Sequence, residues 1–133
     1  MVSTRGRYAL SVMIDLATYS DGDKFIPMKD VALRQGISLK YLEQILPALT
    51  KNKLVEAVHG KGGGYRLAKK PEEITVGDII RLVEKDNLHA VACLSDDAEP
   101  CKKASGCKTI RFWKGLDNVI NGYIDSVTLA DFI

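Results

Sequence analysis

All three cysteines of this chain, Cys93, Cys101 and Cys107, fall in one polar stretch, ACLSDDAEPCKKASGCKTI, with the spacing C-x7-C-x5-C. Thiolates are soft donors, suited to iron bridged by sulfide and to zinc. Three thiols cannot all pair within one chain, and in a reducing compartment clustered cysteines point to metal or redox chemistry more than to a disulfide. Lys102, Lys103 and Lys108 flank them; positive neighbours favour the thiolate and offset the charge of an anionic cluster. Zinc would accept three cysteines and one further ligand, although the spacing lacks the C-x2-C knuckle of common zinc sites. A direct thiol switch through sulfenic acid or a disulfide is the other redox option. A cluster normally takes four protein ligands, so one is missing. The chain has two histidines, His59 and His89, and the segment offers Asp96, Asp97 and Glu99. A residue of another subunit or a small exogenous ligand are further options. No convincing nucleophile–base pair points to an enzyme.

The rest of the chain must position this segment. It has 133 residues, 46% hydrophobic and 27% charged, which fits one globular domain, or a small domain plus an oligomerisation element. No run of about 18 apolar residues occurs, so no membrane span is expected. The N-terminal stretch carries Arg5, Arg7 and Asp15 rather than a secretory pattern, so the expected location is cytoplasmic. Charge is unevenly placed. Residues 1–70 hold twelve Lys/Arg and six Asp/Glu, while residues 71–133 hold seven and eleven. A basic front half suggests contact with a polyanion.

Apolar positions at Tyr8, Leu10, Met13, Ile14, Leu16 and Ala17 have helical spacing behind a Ser/Thr cap signal, and Ser20–Asp23 should stop that helix. FIP reads as a short extended piece, because Pro27 disfavours helix in the residue before it. MKDVALRQG predicts a short helix ended by Gly36, and SLKYLEQILPALTKNKL a second, capped by Ser38, with Leu39, Leu42, Ile45, Leu46 and Leu49 as its apolar stripe. Two helices around the tight QGI turn outline a helix-turn-helix. Leu54–Val58 and Tyr65–Ala68 alternate around HGKGGG, a hairpin whose glycines permit positive φ. A basic, glycine-rich hairpin in that place reads as a wing, with His59, Gly60 and Lys61 able to approach phosphates or a minor groove. It matches no nucleotide-binding glycine motif. ITVGDIIRLVEKD predicts a buried helix capped by Thr75. Phe112, Trp113, Leu116, Val119, Ile120, Tyr123 and Ile124 form a long stripe of the kind used in dimers, and Thr128–Asp131 suggests a capping box before a short last helix.

RGRYAL, QGISLKYLEQIL, VHGKGGGYRL and ITVGDII resemble the IscR-like winged-helix regulator family, whose relatives include the nitric-oxide sensor NsrR and the cysteine regulator CymR. The resemblance covers nearly the whole chain in the same order. It implies a mainly α fold with a small β-hairpin wing: a winged helix-turn-helix over residues 1–84, a cysteine-bearing cluster loop over 85–108, and a dimerisation helix with the C-terminal end over 109–133. It implies a homodimer that reads double-stranded DNA at paired half-sites. Carried over by position, the recognition helix starts at Ser38; Tyr41, Glu43 and Gln44 face DNA, with Glu43 at the position linked to site discrimination. Lys40 stands where IscR has serine, and His59 where it has a wing arginine.

The resemblance also implies an iron–sulfur cluster on Cys93, Cys101 and Cys107, with 2Fe-2S favoured over 4Fe-4S. In IscR a histidine three residues after the last cysteine completes the ligands; here that residue is Ile110, which cannot ligate. In NsrR-type proteins an aspartate from the partner subunit serves; the matching residue here is Arg7. The expected function is a DNA-binding regulator sensing cluster, oxygen or redox status. The alternatives are a cluster-free repressor under a protein partner or metabolite, a thiol redox switch, and an electron-transfer protein.

Overall fold

The first helix, α1 (Thr4–Tyr19), is capped by Ser3, whose Oγ accepts from the Gly6 amide. The structure is a computed structural model and describes residues 2–20, 24–91, 94 and 106–133. The expected stop of α1 at Ser20–Asp23 therefore lies outside the described residues from position 21 to 23. Ala9, Val12, Met13 and Leu16 are fully buried and make α1 the central helix of the core. It packs along α4 and against α2 and the hairpin.

The helix-turn-helix forms as its caps dictate. Helix α2 (Met28–Gln35) ends at Gly36, whose φ of 65° lies in the left-handed region that glycine adopts without strain. Helix α3 (Leu39–Lys51) begins at Ser38, whose hydroxyl accepts from the Tyr41 amide at 3.1 Å. Leu42, Ile45, Leu46 and Leu49 are buried, the i, i+3, i+4, i+7 face expected of an amphipathic helix. Leu39, read as part of that stripe, is instead exposed at the first position of the helix. Helix α3 continues through Pro47 on its exposed face. In α2, Met28 and Val31 are buried and Leu33 is 86% exposed.

Strands β1 (Val55–Val58) and β2 (Gly64–Leu67) pair antiparallel, one residue short of the expected bounds at the start of β1 and shifted by one in β2. Ile26 bridges Tyr65 through two backbone hydrogen bonds of 2.8 and 2.9 Å, so the FIP piece adds a third edge to the wing. A Cβ on Gly64 would collide with the Ile26 carbonyl, which makes glycine obligatory at this crossing.

Helix α4 (Val76–Glu84) has a full capping box between Thr75 and Asp78, and Val76, Ile79, Ile80 and Val83 are buried, with Leu82 half-buried. Helix α5 (Ile110–Ser126) buries only Asp117. The chain then turns back: Leu129 donates to the Ile74 carbonyl at 3.0 Å and is fully buried. The expected last helix is a 3-10 turn, Leu129–Phe132, closed by the Thr128–Asp131 capping box.

One charged residue interrupts the apolar face of α1. Asp15, 1% exposed, accepts from Arg34 Nη2 at 2.7 Å, Arg34 Nε at 3.0 Å and Gln35 Nε2 at 2.8 Å. Arg34 also lies 4.1 Å from the Tyr19 ring centre. The Asp15 hydrogen bond holds the Arg34 pKa above its ordinary value. Replacing Asp15 with Ala removes all three hydrogen bonds and loosens α2 from α1, while Arg34 and Gln35 stay open to water. We expect urea unfolding to show a loss of about 1–3 kcal/mol with an unchanged slope.

Candidate nucleic-acid interface and cysteine segment

Helix α3 presents Ser38, Leu39, Lys40, Glu43, Gln44 and Pro47 on its exposed side. They share one face because residues three and four apart are neighbours on a helix. Lys40, Glu43 and Gln44 therefore stand together. Tyr41 differs: it is half-buried, and its ring meets Tyr8 of α1 edge to face at 5.3 Å. At the wing, His59, Gly60 and Lys61 are exposed at the hairpin tip, with Gly60 at φ 96°. Glu56 and Arg66 pair across the strands at 2.9 Å, and Arg66 covers the Phe25 ring at 4.4 Å. The crossing of Ile26 ties the wing to the chain that enters α2.

Cys93 and Cys101 lie outside the described residues, as do Lys102, Lys103, Asp96, Asp97 and Glu99. Cys107 is half-buried just ahead of α5, its Sγ 3.4 Å from Thr109 Oγ1. Ile110 is the first residue of α5. Arg7 is exposed and donates to Thr4 Oγ1 at 3.2 Å. Among the described residues no group of three His, Cys, Asp or Glu could hold a metal ion.

His89 has one ring nitrogen engaged. Its Nδ1 lies 2.9 Å from Asp117 Oδ2, while the Ala90 amide donates to Asp117 Oδ1. Asp117 sits seven residues into α5 beyond Ile110, two turns along the helix. This contact fastens the chain after α4 onto α5. Two further polar clasps went unread in the sequence. Arg81 donates to Asp125 at 2.6 and 3.0 Å and to Asn121 at 2.8 Å, joining α4 to α5. Ser3 donates from both its amide and its hydroxyl to buried Glu84, at 2.7 and 2.6 Å, joining the start of α1 to the end of α4. A Cβ on Gly6 would strike the Glu84 carboxylate, which explains a glycine inside a helix.

A helix-turn-helix with an exposed, polar second helix and a basic hairpin beside it defines a winged-helix transcription regulator. The sequence profile described as "Rrf2: Iron-dependent Transcriptional regulator" matches residues 2–133. The chain is 39% identical over 132 residues to the HTH-type transcriptional regulator IscR of Serratia proteamaculans, covering 99% of this chain and 78% of that protein. It resembles the solved structure of T. potens IscR, with a TM-score of 0.76, 37% identity and coverage of 98% of this chain and 84% of that one. It also resembles CymR, the global cysteine regulator of B. subtilis, with a TM-score of 0.79, 35% identity and coverage of 98% and 94%. The chain belongs to the Rrf2 family and is an IscR-type helix-turn-helix transcription regulator; these relatives are regulators, not enzymes. No helix among the described residues is long and apolar enough to cross a membrane.

The clasp between α4 and α5 titrates. The hydrogen bond from Arg81 holds the Asp125 pKa below its ordinary value, and the same bond holds that of Arg81 above its own. A lowered folded-state pKa stabilises the fold above the ordinary carboxylate range of about 3.9, and the gain is lost as pH falls through the depressed value. Half of the Asp125 side chain is exposed, so solvent screening keeps the pair under about 1 kcal/mol. Asp125→Asn should therefore melt lower than wild type at neutral pH, and the two melting curves should converge on acidification.

Proposed function

We propose that this protein is a homodimeric DNA-binding regulator that senses iron–sulfur, oxygen or redox status through a cluster held by Cys93, Cys101 and Cys107. The observation that carries the reading is where the thiols lie in the chain: between the DNA-reading half and α5, with Cys107 directly ahead of that helix. Three thiolates are the right donor chemistry for such a cluster, and Cys107 is half-buried rather than packed away in the core. A cluster bound there would supply one-electron redox chemistry and sensitivity to oxygen. Resemblance to IscR favours 2Fe-2S.

The fourth ligand is a residue or molecule other than the IscR histidine, because Ile110 is aliphatic. Arg7 is a cation and offers no lone pair. His89 stays a candidate: Asp117 holds its Nδ1 two helical turns past Ile110, the arrangement in which a carboxylate orients a histidine that ligates through Nε2. A partner residue and an exogenous ligand are the other choices.

DNA reading falls to α3 and the wing. Glu43 accepts from a cytosine amino group and Gln44 pairs with adenine; Ser38, Lys40 and Tyr41 border them, and His59, Gly60 and Lys61 face phosphates or the minor groove. The dimer reading rests on α5. Phe112, Val119 and Tyr123 are each at least 64% exposed, a stripe whose burial a second copy would provide. Cluster binding or loss would bias α3 through the His89–Asp117 and Arg81–Asp125 contacts and the packing of α4 on α1 and α3.

A second reading keeps the DNA-binding dimer and places its signal in a protein partner or metabolite. Ile110 at the ligand position and the likeness to CymR favour it. Anaerobic purification of wild type and Cys107→Ala, with absorption spectra and iron and sulfide analysis, separates the two. The cluster reading requires a coloured wild type whose colour and sulfide vanish in the variant. It further requires Cys93→Ala to change operator affinity. A colourless wild type without iron after reconstitution leaves the second reading.

A further inference from the structure

The N-terminal end of α1 lies outside every residue assigned above to DNA, yet Tyr8, opening its second turn, touches the recognition helix. Tyr8 of α1 and Tyr41 in the first turn of α3 meet at 5.3 Å with their rings 81° apart. Arg5 precedes Tyr8 by three residues, so it stands on the same flank of α1, one turn nearer the N-terminus. It is exposed, and among the described residues it makes no ion pair. The nearest buried acid at this end of α1, Glu84, is engaged by Ser3.

The dimensions fit a duplex. A recognition helix lies in a major groove about 12 Å wide, and packed helices run about 8–10 Å apart. A long side chain one turn from a residue that touches the first turn of α3 is therefore within reach of the groove wall, which is a strand of phosphates. We propose that Arg5 is a backbone-phosphate contact, extending the DNA footprint from α3 and the wing onto α1. The inference rests on α3 entering the major groove. A guanidinium donates two parallel hydrogen bonds to a phosphate and carries no sequence information, so Arg5 fixes register while Glu43 and Gln44 read bases. The Tyr8–Tyr41 contact is what links the two roles: it holds the phosphate-gripping turn in one position relative to the reading helix.

The test needs no operator. Fluorescence anisotropy on a labelled random-sequence duplex of about 30 base pairs, enough for two half-sites a turn apart, is followed from about 50 to about 200 mM potassium chloride. Wild type is compared with Arg5→Gln, Arg5→Lys, Lys61→Gln and the α5 surface variant Lys114→Gln, after thermal melts establish that all four fold. Arg5→Gln should bind about five- to tenfold more weakly near 0.1 M salt, with a salt slope shallower by about 0.9 for each phosphate left unneutralised. Arg5→Lys should restore most of the slope, because the charge remains, and Lys114→Gln should behave as wild type. An Arg5→Gln slope equal to that of wild type, with Lys61→Gln shallower, overturns the α1 contact and leaves α3 and the wing as the interface. A wild type with no salt-dependent affinity overturns the contact together with the DNA-binding reading itself.

Discussion

A carboxylate in the core sets the position of the recognition helix. Asp15 has almost no access to water, and an ionised group so placed is tolerated only with its hydrogen bonds made. The donors come from the last two residues of α2, Arg34 and Gln35. They lie directly before the left-handed Gly36, so satisfying Asp15 also fixes where the turn begins and from which point α3 departs. Apolar burial supplies most of the folding free energy and is non-directional. The Asp15 cluster supplies direction, which a DNA reader needs because a base edge tolerates little misalignment of the helix that meets it.

The same device recurs at greater distances. Ser3 and Glu84 close α1 onto α4, Arg81 and Asp125 close α4 onto α5, and Asp117 holds the chain that follows α4. These contacts run in series from the helix that follows the cysteines to the helix that carries Tyr8. Tyr8 in turn touches Tyr41 on the reading helix. A regulator has to let an event at one end bias the other, and coupling of that kind travels through contiguous packed and hydrogen-bonded elements. The wing is joined differently, by backbone: Ile26 and Tyr65 exchange both hydrogen bonds at a crossing that only glycine at position 64 permits.

Much of this was legible in advance. The spacing of Leu42, Ile45, Leu46 and Leu49, the Ser38 cap and Gly36 specify the helix-turn-helix, because caps and periodicity act within a few residues of themselves. The four glycines of the hairpin announce a tip with positive φ. Exposed polar residues on the face opposite a buried stripe follow from the same periodicity, which places Lys40, Glu43 and Gln44 together. Leu33 and Leu39 depart from the pattern because a short helix at the surface leaves some apolar residues uncovered, and periodicity does not tell which. Tyr41 belongs to both worlds: its position on α3 suggested DNA, and its packing on Tyr8 emerges only once α1 is folded beside it.

What the amino-acid sequence determines alone is local: the elements and their caps, the basic front half, a set of three thiols ahead of the last long helix, and aliphatic Ile110 in place of a ligand. Tertiary structure decided which charged and polar groups meet. Asp15 finds Arg34 across 19 positions, Asp117 finds His89 across 28, and Ser3 finds Glu84 across 81. Such pairs leave almost no trace in periodicity, because a carboxylate's partner is chosen by which helix packs beside it, and that choice is made by the whole apolar core at once.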